Sequence, residues 1–192
     1  MRVISGVVKG RRLGFRKAFL KQGEPGELRP TSSKVREAVF DIIRDELPGA
    51  KFLDLYAGTG GVGIEALSRG AGRVTFVESN GLRVKMINDL ITRFNFKGRS
   101  AVIKGDAIGF LKRELEKRHK YDIIFLDPPY HSDELMTILQ IIGQGGVLEE
   151  DATVIAEHFS KTVLPDVTGR LKLVKEYRYG DTALTRYRLE KT

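Results

Sequence analysis

The chain has 192 residues, 41% of them hydrophobic, enough to bury one sizeable core and short for two. It contains no cysteine, which excludes disulfides, thiolate metal sites and a cysteine nucleophile, and fits a reducing compartment. The formal charge of +8 is unevenly placed: residues 1–21 carry seven bases (Arg2, Lys9, Arg11, Arg12, Arg16, Lys17, Lys21) and no acid, which leaves +1 for the rest.

That asymmetry points to a polyanionic partner for the start of the chain, with a solvated basic tail as the plain alternative. No apolar run approaches the roughly 18 residues of a membrane span and no signal-peptide core stands at the N-terminus, so a cytoplasmic protein without membrane contact is expected. Residues 2–8 and 12–15 alternate loosely around Lys9-Gly10-Arg11, predicting a basic β-hairpin with Val3, Val7, Leu13 and Phe15 on its inner face. Residues 16–28, with Gly23, Pro25 and Gly26, read as a loop. The organisation expected is an N-terminal piece, 1–28, on one compact unit, 29–192.

Arg29-Pro30-Thr31 leads into a helix capped by Thr31 or Ser32. Val35, Ala38, Val39, Ile42, Ile43 and Leu47 form one apolar stripe, and Pro48-Gly49 ends it. The first turn, with Arg29 and Thr31 beside it, either faces a ligand or only caps the helix.

Residues 51–71, KFLDLYAGTGGVGIEALSRGA, read as strand, glycine turn and helix in one run. Gly58, Gly60 and Gly63 make a G-x-G-x-x-G turn, where glycine permits positive φ and lets a ligand approach bare backbone. The following helix offers free N–H groups to that ligand. Asp54, four residues before the first glycine, selects among ligands. Its charge would repel the pyrophosphate of a dinucleotide, whereas S-adenosylmethionine has no phosphate and carries an ammonium and a sulfonium. Glu78 ends the next strand (Val74, Phe76, Val77), where a ribose diol would be hydrogen-bonded.

Alternation of helix and strand continues: helix 82–94, strand 101–104, then Gly105-Asp106-Ala107. Asp106 either caps the next helix, 108–120, or borders the ligand site. Ligands of open α/β sheets lie beyond the carboxyl ends of the strands, so Asp54, Glu78 and Asp106 are expected around one crevice, with Ala107 beside them. YDIIFL, 121–126, is the most apolar strand and is predicted central and buried on both faces. Helix 135–142, strand 153–157 and an antiparallel pair, 171–179 and 183–189 around Gly180-Asp181, complete the chain.

Strand 121–126 runs into Asp127-Pro128-Pro129-Tyr130. Two prolines remove two N–H donors and hold the backbone extended, which suits a pocket lined by acceptors. An exocyclic amine of a nucleobase is a poor nucleophile because its lone pair is delocalised into the ring. If Asp127 and the Pro128 carbonyl each accept one N–H, the nitrogen can pyramidalise towards a sulfonium methyl while Tyr130 stacks on the base. His119, His131 and His158 have no ligand-like spacing, and no metal site is proposed.

These motifs, together with RVISG at 2–6, GRR at 10–12, LRPTSSKVREAVFDII at 28–43, FVESN at 76–80 and YGDT at 179–182, resemble the bacterial small-subunit ribosomal RNA guanine-N2 methyltransferases of the RsmD type. The resemblance implies a Rossmann-like class I methyltransferase, α/β, with a mostly parallel seven-stranded sheet ending in an antiparallel hairpin. It implies S-adenosylmethionine as cofactor, and 16S rRNA in the small subunit or its assembly intermediate as partner. By position, Asp54, Gly58, Gly60, Gly63, Glu78, Asp106, Ala107 and Thr31 look like the cofactor shell, Asp127, Pro128 and Tyr130 like the catalytic shell, and Lys9, Arg11, Arg12 and Arg29 like RNA contacts. The glycine and D-P-P-Y motifs are shared by many amino-methyltransferases, so adenine or cytosine in DNA, or another RNA, stays open as the target.

Overall fold

The structure, a computed structural model, describes residues 1–14, 32–129 and 134–190. The strand–turn–helix unit lies at its centre: β1 (Lys51–Asp54) leads through the glycine turn into α2 (Gly61–Ser68), preceded by α1 (Ser33–Ile42). β2 (Arg73–Glu78), α3 (Gly81–Arg93), β3 (Ser100–Lys104), α4 (Ala107–Lys117), β4 (Tyr121–Leu126), α5 (Glu134–Gly143) and β5 (Leu148–Phe159) follow. β6 (Val167–Thr168), β7 (Leu171–Tyr179) and β8 (Thr182–Leu189) close the chain.

Among the described residues, eight strands form one sheet in the order β3-β2-β1-β4-β5-β8-β7-β6. The first five are parallel, and β8, β7 and β6 add antiparallel. Seven strands were expected. The eighth, β6, has two residues at the sheet edge, too few for any periodicity to show. The order reverses between β1 and β4, which opens a crevice at their carboxyl ends.

Side-chain alternation along the strands builds two cores, one on each face. Phe52, Phe76, Ile123, Phe125 and Ile155 pack with the apolar stripes of α1, α2 and α3. Leu53, Val77, Ile124, Leu126 and Val154 pack with those of α4 and α5. β4 contributes to both cores and lies fourth in the sheet, as its unbroken apolar run predicts.

α1 is capped by Ser32, whose Oγ accepts the Val35 N–H at 3.2 Å. The α-helix stops at Ile42, earlier than the stripe suggested, and Ile43 and Leu47 reach the core from the turns that follow. The N-terminal alternation gives less than the hairpin expected. One antiparallel bridge, Arg2 to Arg12, joins its ends, with Val3 N–H donating to the Arg11 carbonyl and Leu13 N–H to that of Met1. Val3 and Leu13 are buried as predicted, but Val7 is 78% exposed and Val8 takes the inner place. The reason is a bend rather than a strand: Gly6 has φ +82° and lies so close to α2 that a Cβ there would sit 1.8 Å from the Ser68 carbonyl oxygen. Phe15 and the expected loop 16–28 lie outside the described residues. Among the described residues, no helix is long and apolar enough to cross a membrane.

Candidate active site

The carboxyl ends of β1, β2, β3 and β4 deliver Asp54, Glu78, Asp106 and Asp127 to the walls of one cavity of about 1220 Å³. Gly58 and Ala107 line it too, as do Pro128 and Pro129. Tyr130, Thr31 and Arg29 lie outside the described residues.

The glycine turn divides its labour. Gly58 (φ +52°) lines the cavity, while Gly60 (φ +77°) caps α2 without a side chain and donates its N–H to the Ala57 carbonyl at 2.7 Å. Gly63 is a packing glycine, since a Cβ there would fall 2.2 Å from the Phe76 ring. Gly60 and Gly63 therefore shape the turn from behind and do not face the cavity.

Asp54 is 1% exposed and accepts one hydrogen bond, from the Gly63 N–H at 2.9 Å. Burial pushes its carboxyl up to about 7; that amide opposes the shift, and the nearby charges of Asp127 and Glu78 add to it. Glu78 is held in place by two backbone amides, Gly58 N–H to Oε2 and Asn80 N–H to Oε1, each at 2.8 Å, with Arg83 3.7 Å away. Asp106 is a helix cap that also lines the cavity. Its Oδ1 accepts the Gly109 N–H at 2.6 Å as the N-cap of α4, and the residue still borders the cavity.

The opposite wall joins two stretches that the sequence had offered as ligand-facing, the first turn of α1 and the 179–182 turn, to residues that it had not. Met1, Ser32, Val35 and Arg36 line it from the N-terminal side, and Glu157 and Phe159 from the end of β5. Tyr179, Asp181 and Thr182, around the β7–β8 turn, complete it. Arg36 had a faint sequence signal, because it shares a helical row with Phe40, Ile43 and Leu47, all buried. Tyr56 had none: its hydroxyl donates to Glu134 Oε2 at 2.6 Å, joining the glycine turn to the start of α5. Burial first, then that carboxylate, raises the phenol well above its ordinary range.

The N-terminal segment docks on the far side of α2. Glu65, fully buried, accepts the N–H groups of Ile4 and Ser5, each at 2.8 Å, and Ser68 Oγ donates to the Ser5 carbonyl at 2.6 Å. Lys9, Arg11 and Arg12 remain exposed outside the cavity; the Arg11 guanidinium lies 5.9 Å from the Phe94 ring centre, and the Arg12 carbonyl accepts from Arg93. The described residues hold no cluster of three or more acids and histidines placed for a metal.

A parallel sheet with this switch point, extended by antiparallel strands and carrying acids at successive strand ends, is the α/β fold of the S-adenosylmethionine-dependent methyltransferases. The sequence matches the family described as "Conserved hypothetical protein 95" over residues 1–188, and the chain belongs to this family of methyltransferases. It is 35% identical to the "Putative rRNA methyltransferase YlbH" of Bacillus subtilis, over 98% of each chain. It is 31% identical to the "Ribosomal RNA small subunit methyltransferase D" of Escherichia coli, over 99% of this chain and 90% of that one. The solved structure of the "Putative methyltransferase yhhF" from Escherichia coli superposes with a TM-score of 0.85 at 29% identity, over 100% of this chain and 99% of that one. A more distant solved structure, that of "SMU.776, a putative methyltransferase complexed with SAH", shares the fold alone (14% identity, TM-score 0.68, 81% of this chain and 48% of that one).

Proposed function

We propose that the chain transfers a methyl group from S-adenosylmethionine to the exocyclic N2 amine of a guanine in 16S rRNA. The observation that carries the reading is the cavity itself, which brings a glycine turn, two buried acids and the Asp127-Pro128 wall around one volume. Asp54 is short of positive charge, which fits a ligand bearing a sulfonium and an ammonium and disfavours a pyrophosphate. When bound, S-adenosylmethionine supplies the activated methyl. Glu78, oriented by its two amides, is assigned to accept from the ribose hydroxyls.

Asp127 and the Pro128 carbonyl take the two N–H groups of the target amine, freeing its lone pair. Those two acceptors would hold the nitrogen against the methyl that bound S-adenosylmethionine would supply, the N–C bond forming as the S–C bond breaks with its electron pair left on sulfur. The methylated nitrogen is then strongly acidic, so its proton leaves to water and Asp127 need not act as a base. Positioning of the two reactants supplies most of the acceleration, of order 7–11 kcal/mol. Tyr130 follows Pro129 directly and is assigned to stack on the base.

The RNA target is supported by the names of the two relatives and by the seven bases of residues 1–21. Mass spectrometry of rRNA nucleosides from a strain lacking this protein, with and without the purified enzyme added back to small subunits, tests the reading. One N2-methylguanosine should disappear and return. Methyl transfer to DNA adenine or cytosine, with rRNA unchanged, would replace the substrate and keep the chemistry.

A further inference from the structure

Arg36 is a cation in a place where a cation is costly. Its side chain is 1% exposed on the inner side of α1, yet two of its three nitrogens have no hydrogen-bond partner. Nη2 donates to the Arg2 carbonyl at 2.7 Å. Nε lies 3.8 Å from Glu65 Oε2, beyond hydrogen-bond reach, and Glu65 is already engaged by the Ile4 and Ser5 amides and by Arg69 Nε at 2.9 Å. The acid beside Arg36 therefore has little left to accept with.

The unpartnered end of Arg36 points at the glycine turn. Nη1 lies 3.7 Å from where a Cβ on Gly61 would stand, and Gly61 opens α2. Arg36, Gly61 and Val62 all line the cavity. Of the first-turn amides of α2, that of Gly63 goes to Asp54 and that of Ile64 to the Gly60 carbonyl, whereas those of Gly61 and Val62 have no intrahelical acceptor. A buried guanidinium edge and the positive end of a helix thus converge, beneath the Met1 side chain, on one corner of a cavity whose other charged lining residues are, apart from Arg83, all acids.

The ligand for that corner is small and singly anionic. A phosphate would be repelled by Asp54, Glu78, Asp106 and Asp127 close by, while a carboxylate attached to a cation would satisfy both the corner and the acids. Arg83, the other arginine on the wall, is paired with Glu78. Building on the S-adenosylmethionine reading, we infer that Arg36 receives the α-carboxylate of the methionine portion, with the α2 first turn as its second support. Arg36 then selects for ligands that carry the amino-acid head over nucleosides that lack it.

Calorimetry on the whole chain with S-adenosylhomocysteine and its decarboxylated analogue, which keeps the amine, tests this directly. The wild type should prefer the carboxylate-bearing ligand by roughly 10- to 100-fold, the range of a charged hydrogen bond. Arg36→Gln should erase that preference and leave the decarboxylated ligand bound as before. Because Arg36 also holds Arg2, Arg36→Lys serves as the variant that retains the charge but not the fork, and the same preference should shrink without vanishing. Equal wild-type affinities, or a parallel loss of both ligands in a folded variant, would overturn the assignment alone. If the wild type binds neither ligand, the cofactor reading falls and takes this inference with it.

Discussion

Asp54 and Glu65 belong to one strand–turn–helix unit, and both are buried, but they face opposite sides of it and are compensated differently. Glu65 receives two backbone amides and an arginine hydrogen bond, with a second arginine nearby. Asp54 receives one amide and has two acids as neighbours. A buried acid that is fully answered is architecture, since it ties residues 1–14 to α2. A buried acid left short of positive charge is a place for a ligand that brings its own.

The largest effect should come from breaking the answered side. Glu65→Ala leaves Arg36 without its ion pair and two amides without acceptors, so about 3–5 kcal/mol of stability should be lost, read from urea unfolding. A loss below about 1 kcal/mol would mean that the segment is held by its apolar contacts alone.

On the ligand side, Asp127→Ala should cut methyl transfer by roughly 10²-fold or more while leaving the fold and the cofactor affinity nearly as they are. Single-turnover methylation near the wild-type rate would make Asp127 structural.

Asp54 makes the contrast depend on pH. Its folded value, about 7, lies above the unfolded 3.8, so the native state holds the extra proton between them and stability falls as pH rises through that window. A cationic ligand prefers the ionised form. Its affinity should therefore climb by up to about tenfold per pH unit towards pH 7 and then level off, with proton release seen by calorimetry in buffers of different ionisation enthalpy. Asp54→Asn should flatten the curve; an unchanged curve would assign the titration to another group.

The smallest effect separates the backbone of the N-terminal segment, which is bonded to α2, from its exposed bases. Reversing charge at Lys9, Arg11 and Arg12 together should leave cofactor affinity unmoved and flatten the salt dependence of RNA binding, by roughly 0.7 to 0.9 in log–log slope for each lost phosphate contact. If stability drops while the slope stays, these side chains serve packing, and the RNA surface is to be sought around 179–182.

Strand and helix identities, the central place of β4 and the ring of acids at successive strand ends were legible because each is a local pattern: a period of two or 3.6, a glycine at positive φ, an acid one step past an apolar run. The D-P-P run, directly after β4, marked a strand end that borders the cavity for the same reason. What the sequence left open depended on residues far apart in the chain. Glu65 meets Ile4 across 61 positions and Tyr56 meets Glu134 across 78, and neither partner marks the other in advance. Gly63 reads as a ligand glycine in the motif, yet only the ring of Phe76 packed against it shows that it serves helix packing. Arg36 reads as one base on a helix. Tertiary packing buried it beside the glycine turn and left two of its nitrogens without acceptors, because Glu65, the acid it lies against, had already been claimed by the amides of the N-terminal segment and by Arg69.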